Sequence, residues 1–240
     1  INLTPATDAE RWKPVINNIA WERRDGTNVA GTWNTWSSNG NAVLRDVADS
    51  ERENNYGSIV GQSRPSYSCP KQAFRLSEIS RTNLQTYVNS LQARSNTYHD
   101  IGMLWGARFV SENGIFAATN QSAPNGDAIA RHIVFMTDGL LEPNREVYGT
   151  YGIERWDRRV SGDGEAGTTR TAHRERFQAA CTLARQENIS VWVVAFGTAL
   201  GQNLIDCATP GRAFVATTSQ DLENRFKEIA QRIAALRQTK

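Results

Sequence analysis

Histidine and sulfur are scarce in this sequence: three His, three Cys and two Met in 240 residues. Cys69, Cys181 and Cys207 are too few for a disulfide-stapled miniature fold, and no Cys-x-x-Cys is present to hold zinc or run redox chemistry. Also missing are a nucleophile elbow, a Gly-rich phosphate loop, paired carboxylates at useful spacing and a His cluster with ligand spacing. No apolar run approaches the ~18 residues of a membrane-spanning helix. Charge of one sign is lacking too. Lys and Arg number 27 against 25 Asp and Glu, so a net charge of +2 gives no bulk attraction to nucleic acid or an anionic membrane surface. There is no opening Met and no signal-peptide pattern, and the chain is expected to be a fragment or a processed product.

What is present divides near residue 70. Residues 1–70 are rich in Asn, Gly, Ser and Arg, and Trp12, Trp21, Trp33 and Trp36 are scattered through them without a helix or strand period. They are expected to form an irregular segment draped on the rest, each tryptophan burying on the order of 150–250 Å². Residues 71–240 carry the regular patterns. Ser80 can cap a helix in which Leu84, Val88 and Leu91 recur at helical spacing. A second helix opens at Ile101, with Asp100 at its start where a carboxylate suits the helix dipole. Residues 113–131 read as loop. In the stretch His132–Thr137 apolar or β-favouring residues run together without strict alternation up to Asp138 and Gly139, and Ile189–Phe196 repeats the design before Gly197. Such runs are strands covered on both faces, as in a parallel sheet.

A long polar loop to about Thr171, holding Arg155, Arg158, Arg159 and Arg170, reads as a solvated excursion. Residues 174–187 read as a helix with Phe177, Cys181 and Ala184 on one face. A loop carrying Cys207 leads to a short strand, Ala213–Thr217. A last helix follows, capped by Ser219 and striped by Leu222, Phe226, Ile229, Ile233 and Leu236. This order of helices and strands argues for an α/β fold. In open α/β sheets ligands sit at the carboxyl ends of the strands. Asp138 is therefore read as either a ligand-site residue or a turn-former bonding its own backbone.

Several phrases resemble the tight-adherence (Flp-type) pilus-assembly proteins of the TadG kind, which carry a von Willebrand factor A domain. They are Asn96–Arg108, Val134–Gly139, Tyr151–Arg155, His173–Phe177, Val191–Gly197, Cys207–Ala208 and Ala213–Thr217. The resemblance runs from about Cys69 to the end and implies the C-terminal part of such a domain: a doubly wound, mostly parallel sheet, incomplete at its N-terminal side. It further implies a metal-ion-dependent adhesion site in which Thr97 and Asp138 are ligands to Mg²⁺ or Mn²⁺. The Asp-x-Ser-x-Ser phrase that supplies the other ligands in that family is absent from the sequence, and the family's membrane anchor is expected in an upstream segment. A divalent cation is thus expected to bind weakly, and the strand at residues 133–137 is expected to keep an unpaired edge.

The implied function is a non-enzymatic binding and assembly module of a bacterial cell envelope, periplasmic or at the surface of a Gram-negative bacterium. Its partners would be other pilus-assembly or envelope proteins. The alternatives are a structural envelope protein with a degenerate metal site, and a metal-dependent hydrolase using Asp138 near His99. Asp100 is expected to cap its helix and His99 to be a surface or packing residue. Cys181 lies on a helix that enters the strand Val191–Phe196, and Cys207 follows the loop that leaves it, so a Cys181–Cys207 disulfide is expected in an oxidising periplasm.

Overall fold

The computed structural model describes residues 19–24, 41–46, 71–91, 96–123, 125–145, 150–151, 154 and 158–238. Within residues 1–70, expected to be irregular, β1 (Ile19–Arg24) and β2 (Asn41–Asp46) pair antiparallel, with Trp21 opposite Leu44 and Glu22 opposite Val43. Ile19, Trp21, Val43 and Leu44 are residue types that strands favour or tolerate, a signal too short to show as a period in a polar surrounding. Trp12, Trp33 and Trp36 lie outside the described residues, as does Cys69.

The body is a three-stranded parallel sheet: β3 (His132–Thr137), β4 (Ser190–Phe196) and β5 (Ala213–Ala216), in that order across the sheet. Ile133 pairs with Val191 and Val194 with Phe214, which puts alternate residues of all three strands on common faces. One face is covered by α2 (His99–Val110) and α4 (Ala166–Gln186). There Ile133, Val191, Val193 and Ala195 meet Met103, Ala107, Phe177, Cys181 and Ala184. Gly102 and Gly106, one turn apart, face Phe135 and Ile133, so a helix face without side chains lies on the strand. The other face carries Trp192, Val194, Phe214 and Ala216 under α6 (Ser219–Gln238), whose Ile229 completes that core. The architecture is mixed α/β with a parallel sheet.

Several elements differ from the pattern-based expectation. α1 (Arg81–Asn89) is capped by Ser80, whose hydroxyl accepts from the Asn83 amide, but its apolar stripe, Leu84 and Val88, is exposed. A short helix α3 (Ala117–Asn120) interrupts the 113–131 loop. α4 begins at Ala166 rather than near 174, because Thr169 Oγ1 donates to Glu165 O and Asp163 holds Thr168 Oγ1 and the Glu165 amide. The threonines Thr168, Thr169 and Thr171 look like loop in sequence and here open the helix. The segment before β5 contains α5 (Gln202–Cys207). α6 is capped by Thr218, which accepts from the Asp221 amide, rather than by Ser219. Arg155 lies outside the described residues.

Among the described residues the outer edge of β3 pairs with no strand. Val134 and Met136, on the α6 side, stay 38% and 50% exposed there. Cys181 and Cys207 are joined by a disulfide across 26 residues, tying α5 to α4. No helix among the described residues is long and apolar enough to cross a membrane.

Candidate functional site

β3 ends at Thr137, and the side chain of that residue makes the turn. Its hydroxyl donates to Gly139 O at 3.0 Å and accepts from the Gly139 amide at 3.3 Å. The hydroxyl has one proton, already given to Gly139, so His99 Nε2 at 3.1 Å must be the donor to it. That fixes the tautomer: His99 carries its proton on Nε2, and its buried Nδ1 has no partner among the described residues. Burial lowers the His99 pKa below the ordinary imidazole value, outweighing the attraction of nearby Asp100. Protonating Nδ1 would bury an N–H with no acceptor. Phe135 and Phe177 pack on the ring at 5.5 and 5.4 Å between centroids.

One residue further along α2, Asp100 points inward. Its Oδ2 accepts from His173 Nδ1 of α4 at 2.8 Å, and the two side chains are 2% and 3% exposed. It does not cap the helix main chain, contrary to the expectation from its position. Tyr98 stands edge-on to His173 at 5.2 Å and Tyr151 lies at 5.9 Å. Burial raises both phenol pKa values, and the carboxylate of Asp100 adds to each shift. Arg176 lies over Tyr151 at 4.8 Å.

The loop before α2 and the loop after β3 are laced together. The Glu142 amide donates to Thr97 O at 3.1 Å, and Tyr98 Oη exchanges hydrogen bonds with the Asn144 carbonyl and amide at 3.1 and 3.0 Å. Thr97 and Asp138, the two ligands implied by resemblance, therefore sit on neighbouring loops at one edge of the sheet. Thr97 precedes His99 by two residues and Asp138 directly follows Thr137, while His99 and Thr137 touch. Asp138 is exposed and Thr97 half-buried. Turn formation falls to Thr137, which leaves the Asp138 carboxylate out of the turn. Among the described residues no group of three or more His, Cys, Asp or Glu side chains could hold a metal ion.

The buried pair His173–Asp100 and the His99–Thr137 contact were missed by sequence reasoning. Their members are 73 and 38 residues apart, so no local spacing reveals them. The usable signal was rarity: two of only three histidines fall at the start of one predicted helix and just before another.

No protein-family model matches the chain, and no curated protein matches it. Among solved structures it is similar to the pilus adhesin SpaC from Lactobacillus rhamnosus GG in its open conformation. That similarity has 15% sequence identity and a TM-score of 0.42, covering 64% of this chain and 21% of that one. The chain thus spans about a fifth of that adhesin's length.

Proposed function

We propose that the chain is a non-enzymatic binding module of a bacterial cell-envelope assembly, of the tight-adherence pilus kind that its sequence resembles, and that it engages partner proteins through the carboxyl edge of its sheet. The observation that carries this reading is the opposite orientation of the two acidic groups there. Asp100 and its histidine are enclosed, whereas Asp138 is exposed at the strand end. A general base has to come within hydrogen-bond reach of a substrate proton, and the Asp100–His173 pair is spent on joining two helices. The exposed carboxylate suits direct contact with a partner, or contact through a hard divalent cation that takes oxygen donors from Asp138 and Thr97. Those two residues fall short of the six ligands that Mg²⁺ prefers, so the described residues do not make a full cation site. An oxidising location, periplasm or cell surface, agrees with the disulfide.

The absence of Asp-x-Ser-x-Ser from the sequence favours a second reading, a structural envelope protein whose metal site is degenerate. Calorimetric titration with Mg²⁺ and with Mn²⁺ separates the two. Weak binding lost in Asp138→Ala supports a cation-assisted binding edge, and no binding supports the degenerate site. The non-enzymatic reading is tested with generic phosphate and ester substrates in the presence of the same cations. Turnover abolished by Asp138→Asn overturns it in favour of a hydrolase.

A further inference from the structure

Beside the carboxyl edge lies a cleft of about 720 Å³ between the loop after β3, the outer side of α4 and the start of α5. That volume falls within the range of sites that take small molecules or a few peptide residues. Its walls are held in place. The disulfide Cys181–Cys207 ties α5 to α4, Gln178 Nε2 donates to Asn203 O, and Arg185 Nη1 donates to the carbonyls of Asp206 and Cys207 at 2.8 and 2.5 Å. Such a cleft is preformed, so a ligand would bear little of the ordering cost.

The lining is specific in what it leaves unused. Arg170 is committed to Glu142 at 2.7 Å, and Asp206 accepts from Gln202 Nε2 at 2.7 Å. Arg174 and Glu175 also line the cleft and, among the described residues, make neither an ion pair nor a side-chain hydrogen bond. As successive residues of α4 they diverge by about 100° around the helix, and neither neutralises the other. Leu141 is buried in the floor, and Leu140 on the rim is 69% exposed, the most exposed large apolar side chain among the described residues. The side-chain amides of Gln178, Gln202 and Asn203 add donors and acceptors of the kind a peptide main chain matches.

We infer that this cleft binds a short peptide segment of a partner protein, one that offers an apolar side chain to Leu140, an acidic residue to Arg174 and a basic residue to Glu175. The inference rests on the binding-module reading and names the chemistry of the partner. It involves neither Asp138 nor a cation.

The probe is the blocked tripeptide acetyl-Glu-Leu-Lys-amide, with acetyl-Gln-Leu-Gln-amide as its uncharged control, titrated into the full chain and followed by ¹H–¹⁵N amide shifts. The expected result is a saturable shift confined to residues 140–142, 170–178 and 202–206, with the control about tenfold weaker. Arg174→Ala and Glu175→Ala, both at exposed positions, should each cut that preference to about threefold and together abolish it, while leaving the control unchanged. Asp138→Ala should leave the peptide response intact. This keeps the result separate from the cation titration, because either can fail alone. No saturable shift with either peptide, or a preference that survives Arg174→Ala and Glu175→Ala together, overturns the assignment.

Discussion

On the face under α2 and α4, Val191, Val193 and Ala195 meet a core that also encloses His99, Asp100 and His173. On the face under α6, Trp192 and Val194 meet Phe214, Ala216 and Ile229, and Trp192 Nε1 donates to His132 Nδ1 at 3.2 Å. Arginines pack on the aromatics of that second core. Arg212 lies 4.1 Å over Trp192, and Arg225 and Arg232 each lie 5.5 Å from Phe214. The last two share the Glu228 carboxylate. One face therefore holds buried polar pairs that join distant segments, and the other rests on aromatics packed with arginines, of which Arg212 is itself partly desolvated. The candidate site belongs to the first face.

The largest expected break comes from Phe177→Ala. Phe177 is fully buried and touches His99 and Phe135, so its truncation leaves a cavity and should cost about 4 kcal/mol in urea unfolding. It should also perturb the His99 ring resonances. Trp192→Ala, on the other face, should cost a similar amount and leave those resonances in place. Equal perturbation of His99 by both would erase the distinction between the faces.

Reduction of Cys181–Cys207 should cost about 3.5 kcal/mol in the chain-entropy picture. Its effect on amide exchange should fall on α4 and α5 and spare α6. Free-thiol counting on the unreduced, unfolded chain is the direct check: one reactive thiol supports the bridge, three exclude it.

Asp100→Ala strands His173 in the core and should cost about 3 kcal/mol. His173→Ala should cost a comparable amount, and the double variant less than the sum of the two. Additive losses would show that the pair is not coupled.

Dependence on pH should arise on the first face. The folded pKa of His99 is lowered, so the unfolded chain binds more protons near that range. Stability is complete above the ordinary imidazole value of about 6.5 and falls as pH drops below it. Tyr98 and Tyr151 have raised folded pKa values, and stability falls as pH rises past the ordinary phenol value of about 10. A His99→Gln variant whose acid limb is unchanged would show that another group carries it.

The smallest effect is expected from Glu228→Gln on α6, where the Arg225 and Arg232 pairs are solvated. About 0.5 kcal/mol or less is expected, and this should vanish at high salt.

The sheet was legible because β3 and β4 are unbroken apolar runs closed off by glycine, too short for a buried helix and rich in β-branched and aromatic residues. α6 was legible from Leu222, Ile229 and Ile233 at helical spacing. The start of α4 was hidden by threonines that favour caps and turns until their hydroxyls bond back to the main chain. α1 shows the reverse failure: its stripe is regular, yet Leu84 and Val88 stay exposed. The placement of Asp138 at the strand end could be read from Gly139 alone. The inward turn of Asp100 could not, because its partner belongs to a helix that local pattern cannot place against α2.

The tie between Asp100 and His173 also orders events in time. Asp100 is synthesised 73 residues ahead of its partner, a lead of roughly 4–15 s at ordinary elongation rates. During that interval the carboxylate has no imidazole to meet. The tie that joins α2 to α4 therefore forms only after the second half of the body has been made.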